Sequence, residues 1–552
     1  MKNIGAKWVV QDRLDSDLLS HLLKLRNAND KESFLSPSFE NQLFDPETLP
    51  NIDTAVNLIS ENVIQNHTIG IFGDYDADGI PASALLYLGL NQIGAKTVVY
   101  IPKRSDGYGL SLAGIDALLG QGAKLIITVD NGTTAIEEIN YAKSKGIDVV
   151  VVDHHLPHLD LPDAIIVNHK LSDNQYPFDE LCATGLVFKL LTYLSKKYPA
   201  LTEGWLKWHL DLVALATVCD MVPLLGENRV LVHFGLKVIN STRNIGLKYM
   251  IKHAGIVPGE ISSYHLGFLL GPRINALGRM NEDPMQVFWL LASSETAEVE
   301  RLSELVNQHN LDRQELLSKA MKTADNLAQD EAAKNCAAIV LAHEDWPVGV
   351  VGLIAGRLAE IYRRPTFIFE KTPTIYKGSA RSVDPFLLPD IFDQIGEQLE
   401  SFGGHNFAAG LTLKPEKFET IKTEINRIIN QKWPNTDHTK VILIDAEVSL
   451  DQISMKLSYL LEQFEPFGLG NLKPKFLLKS VNFSDIKTMG KENNHIRGII
   501  SQGAKQIPFV GFGLGDKIKE LNQPIAKDIV ATLEINRYGG NEKCELRLID
   551  FK

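Results

Sequence analysis

The chain has 552 residues, too many for a single hydrophobic core, so two to four domains are expected. Apolar content of 44% and a charged fraction of 22% describe an ordinary soluble globular protein. The longest apolar runs, such as 149–152, are strand-length, which excludes a membrane-spanning helix.

Residues 1–15 mix charges early and lack an apolar signal-peptide core. The four cysteines, Cys182, Cys219, Cys336 and Cys544, lie far apart without metal-type spacing. A reducing cytoplasm is the expected compartment. The net charge of −12 fits a protein handling small molecules or protein partners, because phosphate contacts need Lys and Arg. It also fits an acidic metal site and solvated acidic helices that mask a local basic channel. Charge alone favours the first, so motifs must decide.

From residue 68 to about 168, short apolar runs alternate with helical patterns. Strands are expected at 68–72, 97–101, 125–129, 149–152 and 164–167, with helices at 80–93, 112–120 and 134–145. Continuous Val/Ile strands alternating with helices imply a parallel sheet covered on both faces. Ligands of such sheets gather beyond the carboxyl ends of the strands. A helical half follows, roughly 185–280. Residues 293–329 are charged and amphipathic after a candidate cap at Ser294, and their length suits a helix joining two domains. A second α/β region opens near Ala337, with strands at 338–341 and 366–369, and closes by Trp433-Pro434. Residues 441–552 show short strands between Gly- and Asn-rich turns such as Arg537-Tyr538-Gly539-Gly540-Asn541, the pattern of a small barrel or sandwich. Charges nearly balance there, so the acidity resides in the first two domains. The division expected is 1–50, 51–292, 293–333, 334–436 and 437–552.

Polar motifs sit at the strand ends. After the first strand comes Gly73-Asp74-Tyr75-Asp76-Ala77-Asp78-Gly79. Three Asp on alternate positions bring like charges together, and these repel unless cations neutralise them. An EF-hand calcium loop is the alternative, but the acidic positions expected further on are missing. A helix cap explains one Asp, not three. After the third strand, Thr128-Val129-Asp130-Asn131-Gly132 supplies Asp130, which alone suits a helix cap. After the fourth, Val152-Asp153-His154-His155 suits a metal-binding imidazole, with Asp153 orienting a ring. Asp220 stands in the apolar stretch Ala216-Thr217-Val218-Cys219-Asp220-Met221-Val222-Pro223 and suits a metal ligand or a cap. An oxygen-rich set with imidazole favours Mn²⁺ or Mg²⁺ over zinc. Two such ions about 3.5–4 Å apart clamp a phosphate and generate hydroxide for in-line attack. No Ser or Cys triad is apparent, and the chemistry expected is hydrolytic.

These motifs, in this order and at these strand ends, resemble the DHH phosphoesterases. Further stretches resemble the RecJ exonuclease branch in particular. They are Ile101-Pro102-Lys103-Arg104 leading to Asp106-Gly107-Tyr108-Gly109-Leu110, and Gly271-Pro272-Arg273-Ile274-Asn275-Ala276-Leu277-Gly278-Arg279-Met280. Downstream come Gly349-Val350-Val351-Gly352-Leu353-Ile354-Ala355, Gly378-Ser379-Ala380-Arg381-Ser382 and Gly403-Gly404-His405. The likeness covers nearly the whole chain from about Thr68. It implies an α/β architecture: a parallel-sheet DHH domain, a long connecting helix, a second α/β domain and a C-terminal OB-like β-barrel.

By that resemblance Asp74, Asp76, Asp78, Asp130, His154 and Asp220 hold two ions, Mn²⁺ or Mg²⁺. Asp130 bridges them and His155 faces the scissile phosphate. Arg104, Arg273, Ser379 and Arg381 contact phosphates, a role suited to the planar guanidinium. Asn275, Arg279 and His405 are further substrate contacts. The alternative for each Arg is a structural ion pair, and for Asn275 and His405 a turn or cap. Ala380 replaces an expected Gly; if that position needs a positive φ, Ala costs stability and shifts the Ser379/Arg381 contacts. The function implied is a single-stranded-DNA-specific 5′→3′ exonuclease releasing 5′-mononucleotides in DNA repair and recombination. Partners implied are single-stranded DNA, a single-strand-binding protein and a helicase. The superfamily also contains nano-RNA and cyclic-dinucleotide phosphodiesterases and pyrophosphatases, which lack the extra barrel, and the complete ligand set argues against a non-catalytic scaffold.

Overall fold

A computed structural model describes residues 6–28, 30–434, 437–537 and 540–552. The turn expected around Tyr538-Gly539 lies outside the described residues. Among those described, no helix is long and apolar enough to cross a membrane.

The first strand among the described residues, β1 (Lys7–Val10), finds its partner more than 400 residues later, at Val441–Ile444. The first sheet contains β2 (Thr68–Phe72), β3 (Lys96–Tyr100), β4 (Ala123–Val129), β5 (Asp148–Val152) and β6 (Ile165–Val167). All pair in parallel, in the order β3-β2-β4-β5-β6. The continuous Val run of β5 serves both faces: Val150 and Val152 enter the core shared with the helical half, Val149 and Val151 the core beneath the opposite helices. The chain builds outward from β2 to β3, then returns across β2 to β4. Loops leaving β2 and β4 therefore diverge, and a crevice opens at this reversal beyond the carboxyl ends. That is where the Asp74–Asp78 and Asp130 segments lie.

The helical half packs onto this sheet through one continuous core. The connecting helix, Thr296–Ala333, belongs to two cores: Val299, Leu302 and Val306 pack with the first domain, Leu317, Ala320 and Ala324 with the second. It starts later than expected, and Ser294 is not its cap. Ser293 Oγ instead accepts from Glu295 N–H at 3.2 Å and donates to Glu298 at 2.9 Å, which takes over the task of fixing the first turn.

The second sheet holds β7 (Ile339–His343), β8 (Thr366–Lys371), β9 (Tyr376–Arg381), β10 (Ser401–His405) and β11 (Ala408–Leu413), in the order β10-β11-β9-β8-β7. Only β7 and β8 are parallel. The C-terminal part has β12 (Val441–Ile444), β13 (Ala446–Glu447), β14 (Phe476–Met489), β15 (His495–Gln502), β16 (Lys505–Gly511), β17 (Lys527–Asn536) and β18 (Lys543–Phe551). The order β14-β15-β16-β18-β17 closes through a β14–β17 pairing into a five-stranded barrel. Here β1 pairs in parallel with β12, and Leu22, Leu23 and Phe34 enter the barrel core. The N-terminal segment is thus part of the C-terminal unit, a pairing no local pattern in the sequence announces. Arg229 of the helical half ties the three together, donating to the carbonyls of Phe34, Phe464 and Gln463 at 2.8–3.0 Å.

Candidate metal centre and phosphate pocket

Two neighbouring strands and one helix deliver the carboxylates. Asp74, Asp76 and Asp78 follow β2, where Asp76 Oδ1 caps the next helix by accepting from the N–H groups of Asp78 and Gly79 at 2.8 and 3.0 Å. Gly79 is obligatory here, because a Cβ would stand 2.6 Å from that of Asp74. Asp78 is fixed from across the domain by Ala183 N–H (2.6 Å), Thr184 N–H (2.9 Å) and Thr184 Oγ1 (2.6 Å). Asp130 leaves β4 with φ +64°, a left-handed conformation that Asp tolerates better than most residues, and its N–H still bonds Val152 on β5. Asp220 ends the helix Leu210–Cys219.

His154, after β5, stands among them. Its Nε2 lies 3.3 Å from Asp130 and 4.0 Å from Asp78, its Nδ1 3.7 Å from Asp220. Potential ligand atoms gather in three sets: Asp74, Asp76 and Asp130; Asp78, His154 and Asp220; and Asp130, His154 and His155. Within each set the ligand atoms lie within 4.8 Å of one another. Asp130 belongs to two sets. Among the described residues, no lysine or arginine forms an ion pair with any of these five aspartates.

Burial raises the Asp74, Asp130 and Asp220 carboxyls well above the ordinary range, and the neighbouring aspartates raise them further. Burial lowers His154, which leaves a neutral imidazole ready to ligate. Asp74 Oδ1 is buried without a hydrogen-bond partner. An acidic, oxygen-rich cage with an imidazole and an orphaned carboxylate oxygen fits a hard divalent cation. Cys182 and Cys219 are close by, but burial pushes both thiols up, so they offer no thiolate.

Asp153 plays the orienting part. It accepts from the N–H groups of Thr133, His154 and His155 and from the His155 ring at 2.7 Å. Burial would raise this carboxyl, but the bonds from His155 and Thr133 outweigh it and hold Asp153 well below the usual range. In return Asp153 raises His155 against the opposing effect of burial. Tyr108 adds a contact that sequence reasoning missed: its hydroxyl donates to the Asp130 carbonyl at 3.0 Å and lies 3.0 Å from His155 Nε2.

Facing the cage is a group of arginines. Arg104 lies with its guanidinium 5.4 Å from the Tyr75 ring centroid. Arg279 is lowered to about 9 by burial and by the neighbouring Arg104, Arg313 and Arg381. Arg381 Nη1 donates to Ser379 Oγ at 3.0 Å and to the Ala380 carbonyl at 2.9 Å. The Gly349/Gly352 motif makes room for them. A Cβ at Gly349 would meet the Arg279 carbonyl at 1.8 Å, and one at Gly352 would crowd Ser379 Oγ at 3.2 Å.

Three protein-family models match the chain: the DHH family N-terminal domain over residues 68–217, the DHHA1 domain over 334–431 and the RecJ OB domain over 444–550. The single-stranded-DNA-specific exonuclease RecJ of Bacillus subtilis is 33% identical over 97% of this chain and 67% of its own. Its Haemophilus influenzae namesake is 32% identical over 97% of this chain and 96% of its own. The chain belongs to the RecJ family. The crystal structure of Thermus thermophilus RecJ in complex with Mn²⁺ shares the fold, with a TM-score of 0.84 and 24% identity over 99% of this chain and 79% of that one.

Within this RecJ-family site the predicted residues separate into groups. The six metal-ligand candidates and His155 converge, as do Arg104, Arg279, Ser379 and Arg381. His405 is exposed at the end of β10, opposite Ala408, which is itself opposite Arg381, so both side chains share one face. Arg273 is placed differently: it is buried and donates to Asn307 (3.3 Å), Leu269 (2.7 Å) and His253 (3.4 Å), tying its helix to the connecting helix. Asn275 is half-buried on the same helix. The ion-pair alternative fails for all four arginines, none of which has a carboxylate partner among the described residues. Ala380 carries no positive φ; it is a buried residue of β9 paired with Ala409, so the expected strain is absent.

Proposed function

We propose that this protein is a metal-dependent exonuclease that removes nucleotides from the 5′ end of single-stranded DNA and acts in DNA repair and recombination. The observation that carries this is the juxtaposition of a cation-demanding aspartate cage with a cluster of unpaired arginines. The family relatives, named as single-stranded-DNA-specific exonucleases, support it. Asp74, Asp76, Asp78, Asp130, His154 and Asp220 would hold two Mn²⁺ or Mg²⁺ ions, Asp130 serving both. Divalent cations bound there supply water activation and neutralise charge on the phosphoryl group. His155, its ring held by Asp153, would meet the scissile phosphate beside the cage. Ser379, Arg104 and Arg381 receive the terminal 5′-phosphate, with Arg279 and His405 beside them. A strand whose end is stopped in such a pocket exposes only its first phosphodiester to the cage. Single-strand-binding protein and a helicase are the partners, and the cytoplasm the location, that the family resemblance supports.

Strands labelled at either end, with and without a 5′-phosphate, test this beside matching duplexes. Early release of the 5′-terminal nucleotide with duplex spared is expected, and Arg104→Ala should lower the preference for a 5′-phosphate about tenfold, the value of one charge-assisted contact. Digestion from the 3′ end contradicts the assignment.

A further inference from the structure

The connecting helix Thr296–Ala333 buries a residue every three or four positions. Val299, Leu302 and Val306 pack in the core of the first domain, Leu317 and Ala320 in that of the second. Between them, where the helix crosses from one domain to the other, the buried positions are Asn310 and Arg313. A purely structural stripe would be apolar there too. Asn310 is fully buried and Arg313 is 8% exposed. Arg313 Nη2 donates to Asn310 Oδ1 at 2.9 Å. Asn310 Nδ2 and Arg313 Nε are buried without a hydrogen-bond partner. Both orphans are donors, so the group this spot calls for is an acceptor.

The surroundings are cationic. Arg313 neighbours Arg273 and Arg357, and burial together with these two lowers its pKa. It also neighbours Arg279, which lies near Arg104 and Arg381 of the terminal-phosphate pocket. Among the described residues, none of these arginines forms an ion pair. Arg273 spends its donors on Asn307 and two carbonyls, whereas Arg357 is exposed on the helix Val348–Tyr362. Two glycines of that helix leave room for Arg381: Cβ atoms at Gly352 and Gly356 would stand 3.4 Å from its Nη2 and 3.9 Å from its Cγ. Arg357 follows Gly356 directly and leaves the helix next to the strip where Arg381 rests. Guanidinium groups gathered without an acid repel one another until an anion answers them, and their planar forks suit phosphate.

We infer that Arg313 and Arg357, with Asn310, form a second phosphate site adjoining the terminal-phosphate pocket, and that it takes the β- and γ-phosphates of a strand ending in a 5′-triphosphate. The inference rests on the exonuclease function proposed above. Arg104, Ser379 and Arg381 hold the α-phosphate as they hold a terminal monophosphate, and Arg279, neighbour to both groups, links the two sites. A pocket built to accept a monophosphate alone needs a neutral or acidic wall beyond it to refuse further phosphates. This wall is cationic and has donors without partners. Water then adds across the P–O3′ bond of the first phosphodiester. The hydroxyl joins the phosphorus of the shortened strand, and the proton goes to O3′ of the departing nucleotide. That nucleotide leaves as a nucleoside 5′-triphosphate with its anhydride bonds intact.

The test uses the full-length protein with excess Mn²⁺ and one single strand prepared with a 5′-monophosphate or a 5′-triphosphate. Wild type should digest both with similar KM, and the first product from the second should be the nucleoside triphosphate. Arg313→Gln and Arg357→Ala should each raise KM for the triphosphate strand about tenfold, the value of one charge-assisted contact, and change KM for the monophosphate strand far less. Arg357 is exposed, so its replacement carries the test if Arg313→Gln fails to fold. Refusal of the triphosphate strand by wild type, or variants that treat the two strands alike, overturns the inference and leaves the exonuclease function standing. A free anion is the other source of the same chemistry. Inorganic pyrophosphate that slows wild type but not Arg313→Gln on the monophosphate strand, with the triphosphate strand refused, assigns the site to that anion and overturns the inference. Failure of wild type to release the 5′ nucleotide of the monophosphate strand overturns it together with the exonuclease function.

Discussion

Two clusters of buried charge lie in the first domain, and they are treated oppositely. Around Glu227, which is fully buried, every group is answered: Lys189 and the Phe44 N–H donate to Oε1, Tyr176 to Oε2, and Lys189 also donates to the Phe44 carbonyl at 2.9 Å. Around Asp130 five carboxylates crowd together with no lysine or arginine in an ion pair with them among the described residues, and Asp74 keeps an oxygen without a hydrogen bond there. Buried charge that the protein satisfies itself holds the fold together. Buried charge it leaves unsatisfied marks where something from outside is to bind. The same residue types thus carry structure in one place and chemistry in the other, and the difference lies in the partners.

The largest expected effect belongs to the satisfied cluster. Glu227→Ala leaves Lys189 buried without a counter-charge and should cost about 3–5 kcal/mol of stability, read from the urea midpoint with or without Mn²⁺. A loss below about 1 kcal/mol would remove the contrast, since exposed pairs give as much. An intermediate effect is expected from His169, buried with Nε2 bonded to the Leu181 carbonyl and lowered to about 4 by burial. The unfolded chain binds this proton near pH 6.5 and the folded one only near 4, so stability falls as pH drops through that window. The contribution is at most about 3 kcal/mol, and His169→Gln should flatten the wild-type slope there. A slope unchanged by the substitution would show that His169 is not kept neutral.

The sheet and the cage were legible because each has a local signature. Unbroken runs such as 149–152 announce strands buried on both faces, and polar residues directly after them have nowhere to lie but the carboxyl edge. What escaped is non-local. The pairing of β1 with β12 joins residues from opposite ends of the chain, and no periodicity in either segment specifies the other. Arg273 and Arg279 sit in one motif, yet one is consumed by carbonyls and the other faces the cage, because helix phase decides and the motif does not state it. The crowding relieved at Gly349 and Gly352 depends on a helix meeting Arg279 and Ser379 from other elements. Tyr108 lies in the stretch Asp106-Gly107-Tyr108-Gly109-Leu110, but its bond to the Asp130 carbonyl follows from the loop's path across the crevice. Ser294 failed as a cap because Ser293, one residue earlier, made the bond.

On the function proposed above, cations and not protein contacts neutralise the aspartate cage. Thermal unfolding of metal-free wild type and Asp130→Asn, each repeated with Mn²⁺ and with excess chelator, tests it most directly, because Asn keeps the shape and tolerates φ +64°. Removing one of five crowded carboxylates should leave the metal-free variant as stable as wild type or raise its melting temperature by about 2–4 °C, the equivalent of roughly 1 kcal/mol in a domain of this size. Mn²⁺ should stabilise wild type reversibly and the variant little or not at all, with turnover lost alongside. A metal-free variant that melts several degrees lower, as Glu227→Ala should, while Mn²⁺ stabilises it as fully as wild type, would show that Asp130 serves the fold and not the ions.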